Sequence, residues 1–207
     1  MKKPHNQAGF TIIELLIATA VFAIIMVVIT VAILQFSRQY YKGVVSSSTQ
    51  NTARTLIDDV ARAIQFNGGA VSTLTGGYCI GTAKRYSFAL NRQVTDTAPD
   101  ASKHQGSHAL VSDTVTGCNS STAALPVTTL GALTTPNARE LLGQHMRLTK
   151  FSIVNNSDLY TITVRVVYGD DELLTSTTDP NMSCKGTVGS QFCAVSELTT
   201  SVRKRSE

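Results

Sequence analysis

Between Leu15 and Phe36 lie 22 residues without a charge, interrupted only by the polar residues Thr19, Thr30 and Gln35. As an α-helix rising about 1.5 Å per residue, the run reaches about 33 Å, enough to cross a bilayer's hydrocarbon core. It predicts a membrane span over residues 15–37. Lys2 and Lys3 precede the span and Arg38 and Lys42 follow it, so charge orients it only weakly. Its start beside the N-terminus favours a short cytoplasmic leader, with the N-terminus inside and the bulk of the chain outside the inner membrane. A cleavable secretory signal has a shorter apolar core followed by an A-x-A-like site. Here Ala18-Thr19-Ala20 lies inside the run, with 16 mostly apolar residues behind it, and cleavage after the segment is not expected.

Ahead of the span stands a polar leader, Met1 to Gly9, and then Phe10-Thr11-Ile12-Ile13-Glu14-Leu15-Leu16. Gly9 has no side chain to obstruct a protease cleft, and a single carboxylate, Glu14, follows four residues after Phe10. The segment Gly9 to Leu16 resembles the class III signal of type IV pilins and type II secretion pseudopilins. That resemblance implies a membrane-embedded prepilin peptidase as partner. It would cut on the cytoplasmic side between Gly9 and Phe10 and N-methylate the new amine of Phe10. The leader leaves and the apolar helix stays as an assembly element. The plain alternative is an uncleaved signal anchor.

An ionised carboxylate near the centre of a membrane helix costs on the order of 2.5 to 3.5 kcal/mol, so Glu14 needs either water or a partner. In an isolated subunit it stands near enough to the cytoplasmic face to reach water. The resemblance implies a second state, in which Glu14 pairs with the freed Phe10 amine of a neighbouring pilin subunit. In a low-dielectric helix bundle that pairing is strengthened and sets register.

No proline occurs between Pro4 and Pro99, so the helix is expected to continue through Phe66 and stop at Asn67-Gly68-Gly69. Its second half repeats Ala53, Leu56, Ile57, Val60, Ala63 and Ile64 at three- and four-residue spacing, the pattern of a core-facing stripe. Arg54, Asp58 and Arg62 follow at four-residue intervals on a solvated face. Many pilins carry a proline within the span, and this chain does not. The stretch Arg54 to Phe66, ending in Gly-Gly, is instead similar to PilW-like minor pilins and J-type pseudopilins. Motif-level resemblance ends near residue 66.

From Gly68 to Glu207 the chain turns to Thr, Ser, Gly and Val with short alternating runs, which predicts β structure. Ser and Thr together number 46 in the whole chain, and only 15% of residues are charged, so the surface is hydroxyl-rich and nearly neutral. Tyr160 to Tyr168 is the clearest strand, with Tyr160, Ile162, Val164, Val166 and Tyr168 on one face. Leu148 to Val154 precedes it across Asn155-Asn156-Ser157-Asp158 as a hairpin, with a phase slip near Lys150 suggesting a bulge. Tyr86–Leu90 and Glu197–Val202 are weaker strands, and Asp96–Gly106 reads as a polar loop. A long N-terminal helix whose latter half packs on an antiparallel sheet is an α+β arrangement. It is also the pilin fold. The expected organisation is a leader over 1–9, a long helix over 10–67 and an extracytoplasmic β-rich head over 68–207.

Cys79, Cys118, Cys184 and Cys193 all follow the span, and four cysteines on the oxidising side suggest two disulfides. Three pairings are open. Local closure of the Gly-rich loop between Cys184 and Cys193 favours that pair and leaves Cys79 with Cys118. A four-cysteine zinc site is disfavoured, since no C-x-x-C pair is present. His104 and His108 have the spacing of a helical metal pair, but Gly106 interrupts them within polar loop. No metal is expected there. Asp170-Asp171-Glu172, with Asp179 nearby, reads as a solvated hairpin end without an EF-hand register.

No Walker loop, nucleophile elbow or cysteine–histidine signature occurs, so no catalytic residues and no cofactor are expected. The triplets at Asn119, Asn155 and Asn181 are about as frequent as chance in so hydroxyl-rich a chain. Arg203-Lys204-Arg205 could touch nucleic acid, but three charges on a tail more often serve solubility, and a net charge of +4 is small for a nucleic-acid binder. The resemblance therefore implies a non-enzymatic structural subunit, polymerised through its apolar helix with other pilin subunits into an extracellular or periplasmic filament, most simply a minor pilin. A type II secretion pseudopilin is the near rival. A membrane-tethered domain that never assembles is the distant one.

Overall fold

The structure, a computed structural model, describes residues 10–67, 70–135, 137–157 and 159–205. One helix, α1 (Ile12–Phe66, 55 residues), crosses from a first compact unit, residues 1–40, into a second, residues 41–207.

Over residues 10–36 no other described residue covers the helix. Every residue from Phe10 to Phe36 is exposed, as are large apolar side chains such as Ile12, Phe22, Val28 and Leu34. The hydroxyls within the apolar run turn back on the helix: Thr19 Oγ1 donates to the Leu16 carbonyl at 3.0 Å and Thr30 Oγ1 to the Met26 carbonyl at 2.8 Å. Both hydroxyls are thus satisfied within their own helix, as a lipid-facing segment requires.

The second unit buries the other half of the helix. Val45, Thr49, Ala53, Leu56, Ile57, Val60, Ala63 and Ile64 are covered, and all six residues of the anticipated stripe are among them. Arg54, Asp58 and Arg62 are exposed. The helix ends at Phe66, and the Gly68-Gly69 stop lies outside the described residues.

Two antiparallel sheets follow in chain order. The first orders β1 (Val71–Leu74), β2 (Gly77–Ile80), β3 (Lys84–Phe88), β4 (Leu110–Thr114) and β5 (Arg139–Glu140) side by side. The second orders β6 (Met146–Asn156), β7 (Leu159–Tyr168) and β8 (Ala194–Arg203). Within each sheet neighbours in sequence are neighbours in space, so each is a meander, with tight turns at β1–β2, β2–β3 and β6–β7 and long excursions at β3–β4, β4–β5 and β7–β8. Leu56, Val60 and Ile64 of the helix share one core with Tyr78, Tyr86 and Leu110 of the first sheet and Phe151, Ile162 and Val164 of the second.

The expected hairpin forms, with differences at its edges. Its register shifts between Leu148 and Lys150, the bulge that the phase slip suggested. The strands run on to a pairing of Asn156 with Leu159, so only two residues make the turn rather than four. Ser157 in that turn has φ 62°, the left-handed conformation that two-residue hairpin turns demand. On β7 the inward set ends at Val166, Tyr168 is half-buried, and Val167 on the opposite face is buried. Its cover is a second small core of Val167, Leu174, Met182 and Cys193, contributed by the segment between β7 and β8. The strand expected at Tyr86–Leu90 begins two residues earlier, at Lys84, and the C-terminal strand expected at 197–202 is longer at both ends.

Candidate functional site

Two places in the molecule gather the residues that the sequence singles out. The first is the start of α1. Thr11 stands immediately before the first helical residue, Ile12, and Glu14 is the third residue of the helix. The Thr11 N–H and the Thr11 hydroxyl both donate to Glu14 Oε2 at 2.9 Å, while the Glu14 N–H donates to Thr11 Oγ1 at 3.3 Å. This is a reciprocal capping box, in which Thr-x-x-Glu satisfies helix-end donors that would otherwise be orphaned. The Thr11-Ile12-Ile13-Glu14 spacing announces it, and reading Glu14 only as an assembly group overlooks it. Both bonds fall on Oε2, which leaves Oε1 with acceptor capacity among the described residues. Phe10 is 76% exposed, an aromatic side chain presented at the very end of the helix. Gly9 lies outside the described residues, as does the leader.

The cysteines form two bridges, Cys79–Cys118 across 39 residues and Cys184–Cys193 across 9. Cys79 lies on β2 and Cys118 just beyond β4, both buried with Leu74. Cys184 and Cys193 close the segment that covers the back of β7.

The acidic residues at 170–172 are not pooled. Asp170 Oδ1 accepts from Gln93 Nε2 and lies against His145 Nδ1, each at 2.7 Å, and the contact with His145 is the main reason its carboxyl is held below the ordinary aspartate range. Asp171 accepts from the buried Arg147 at 2.7 Å. Asp179 instead accepts the Asn181 N–H. Each of these three aspartates is committed to a neighbouring donor.

The second place was unexpected. The loop between β3 and β4 is irregular, as anticipated, but it carries His104 and His108 into the interior, both fully buried. Gly106 between them is what permits this: a Cβ there would meet Thr95 Oγ1 at 2.4 Å, so the loop closes on itself only with glycine. The two imidazoles meet edge to face with ring centres 4.2 Å apart. Glu140, from the short strand β5, completes the group, and one ligand-type atom from each of the three lies within 4.8 Å of the others. Glu140 is oriented by the backbone. Its Oε1 accepts the Leu110 N–H at 3.0 Å and the Leu142 N–H at 3.3 Å, and its Oε2 accepts the Ala109 N–H at 3.1 Å.

The histidines are far less well served. His108 Nε2 lies 2.8 Å from the Gly131 carbonyl and donates to it, while Nδ1, 3.3 Å from Glu140 Oε2, is not aligned for a hydrogen bond. Neither ring nitrogen of His104 has a hydrogen-bond partner, although Nδ1 faces Asp96 Oδ2 at 3.5 Å. Burial, and then the neighbouring His108, push the His104 pKa down. For His108 burial acts the same way, but Glu140 and the Gly131 carbonyl together outweigh it and leave the pKa raised. No sequence pattern announced this trio, because Glu140 lies more than thirty residues downstream on another element.

Comparison with known proteins bears on the first place alone. Residues 4–30 match the family described as the prokaryotic N-terminal methylation motif. No curated protein and no solved structure matches the chain. The matched segment spans the Gly9–Phe10 junction, the capping box and most of the apolar run, and the described fold behind it is a long helix packed on antiparallel sheets. The chain therefore carries a class III prepilin signal at its N-terminus, ahead of an α+β arrangement that is pilin-like.

Proposed function

We propose that this chain is a structural, non-enzymatic subunit of a type IV pilus-like filament, most simply a minor pilin. A prepilin peptidase cuts between Gly9 and Phe10 and methylates the Phe10 amine, and the mature subunit waits in the inner membrane with its N-terminus inside. It then polymerises through α1, leaving its head on the outer surface of an extracellular or periplasmic fibre. The observation that carries this reading is the coincidence, at one helix, of the methylation motif over residues 4–30 with an apolar first half that no other described part of the protein covers. An apolar helix with no intramolecular partner is stable in lipid or among other such helices, and extraction into a filament exchanges one for the other.

Glu14 supplies polarity to that exchange. Within the subunit its Oε2 closes the capping box. In the fibre its Oε1 would take the ammonium of a neighbour's Phe10. The hydroxyl-rich, weakly charged head suits lateral contact and adhesion without naming a ligand.

The test is expression with and without an active prepilin peptidase, followed by shearing of surface filaments. The reading expects a shortened chain, found in sheared fibres only when the peptidase is active. A chain that stays full length in the membrane under both conditions would make it a tethered domain. Processed chain confined to a periplasmic assembly alongside secretion components would make it a pseudopilin.

A further inference from the structure

We propose that His104, His108 and Glu140 form a buried binding site for a single divalent transition-metal ion of the zinc type, independent of the filament role. Three imidazole nitrogens, both of His104 and Nδ1 of His108, are buried without a hydrogen-bond partner. Leaving a buried polar atom unsatisfied costs roughly 1 to 3 kcal/mol, and three such atoms on two touching rings, beside a buried carboxylate, need an explanation. Hydrogen bonding within the trio does not supply one, since neither His104 nitrogen reaches an aligned acceptor. A cation does. Imidazole nitrogen and carboxylate oxygen are the donors of zinc-class sites, and two histidines with one glutamate are a recurring three-ligand set that leaves one position for water.

The surroundings are organised as such a site requires. A ligating histidine usually donates its other ring N–H to a carboxylate or a backbone carbonyl, which fixes the tautomer and aims the free lone pair at the metal. His108 does so through Nε2 to the Gly131 carbonyl at 2.8 Å, leaving Nδ1 as the ligand. His104 turns Nδ1 toward Asp96 Oδ2 at 3.5 Å, leaving Nε2 as the ligand. Asp96 is itself held by the Ala98 and Gln105 N–H groups at 3.1 and 2.6 Å. Glu140 is fixed by the backbone N–H groups of Ala109, Leu110 and Leu142. Tetrahedral ligands at about 2.0 to 2.2 Å from a metal stand roughly 3.4 Å apart, so a spread of up to 4.8 Å closes by at most about 1.4 Å on loading. With the disulfides formed, no thiolate competes for the ion.

The test uses the untagged full chain in detergent, stripped with a chelator, dialysed and offered Zn²⁺. One equivalent should be retained through a second dialysis, with a rise in unfolding temperature that saturates at that equivalent. Co²⁺ in its place should give the intense visible bands of a four- or five-coordinate ion without thiolate charge transfer. His104→Gln and His108→Gln should abolish retention, and Asp96→Asn should weaken it roughly ten- to a hundredfold. Because the Co²⁺ spectrum needs no substitution, the proposal stays decidable if either glutamine variant fails to fold. It is overturned if the folded wild-type head retains no stoichiometric Zn²⁺, if bound Co²⁺ gives the weak spectrum of a six-coordinate surface ion, or if retention survives in both folded histidine variants.

Discussion

The capping bond of Glu14 and its proposed assembly charge can be separated by a single substitution. Glutamine keeps an acceptor oxygen at the third helical position, so the capping box with Thr11 survives, while the charge that would meet a neighbour's ammonium is gone. Glu14→Gln is expected to insert, be cleaved and fold its head as the wild type does, yet to be absent from sheared filaments; comparison of membrane and filament levels reads this directly. Normal incorporation would mean that apolar packing alone sets assembly.

Tyr86 offers a test within the head. Its hydroxyl donates to Asp59 Oδ2 at 2.7 Å, tying β3 to the helix, and burial first, then the Asp59 carboxylate, pushes its pKa far up. Tyr86→Phe should cost roughly 1 to 2 kcal/mol in denaturant unfolding, because it removes one charge-assisted bond while leaving the buried ring in place. Glu197 gives the pH signature. The Lys150 ammonium, and then the Arg165 guanidinium, hold its carboxyl below the ordinary value of about 4.5. The group therefore contributes stability at pH above that value and loses it as pH falls through the lower folded-state pKa. Thermal melts of Glu197→Gln should converge on those of the wild type in acid and fall below them at neutral pH, by a small margin because the pair is solvated.

At the scale of elements, the two bridges constrain loops of different length. The chain-entropy relation gives about 3.9 kcal/mol for the 39-residue separation of Cys79 and Cys118 and about 2.6 kcal/mol for the 9-residue separation of Cys184 and Cys193. Paired serine substitutions should accordingly destabilise the head more at the first bridge, and equal losses in urea titration would show that local packing, rather than loop closure, dominates.

How far the elements were legible follows from what each pattern encodes. The helix stripe from Ala53 to Ile64 and the alternation along β7 were readable because one face of each meets the core and the other meets water. Val167 departed from its alternation because the segment after β7 folds back as a second cover, a long-range event with no local trace. Strands β1, β2, β4 and β5 escaped notice for another reason: with two to five residues each, β2 buried throughout and β4 nearly so, they offer too few positions for a period to show. The histidine–glutamate cluster was hidden twice over. Its loop looks polar, and Gly106, which argued against a helical metal pair, is the residue whose close approach to Thr95 lets the loop bring both rings inward.

The whole molecule divides its work between its two units. The second has its own core, two meandering sheets, two disulfides and half of a helix, and so holds its shape without help from the first. The first is an apolar helical segment with no described contact to bury it. Such a division suits the proposed assembly route, in which the anchor's surroundings would change and the head's would not. Every part of the account that concerns assembly depends on the anchor acquiring a new N-terminus at Phe10. The most direct measurement is the intact mass of the protein recovered from filaments, with terminal sequencing by fragmentation. The account predicts a chain that begins at Phe10, carries one added methyl group on its amine and retains all four cysteines as disulfides. A chain that still begins at Met1, or one cut beyond Phe36, would contradict it.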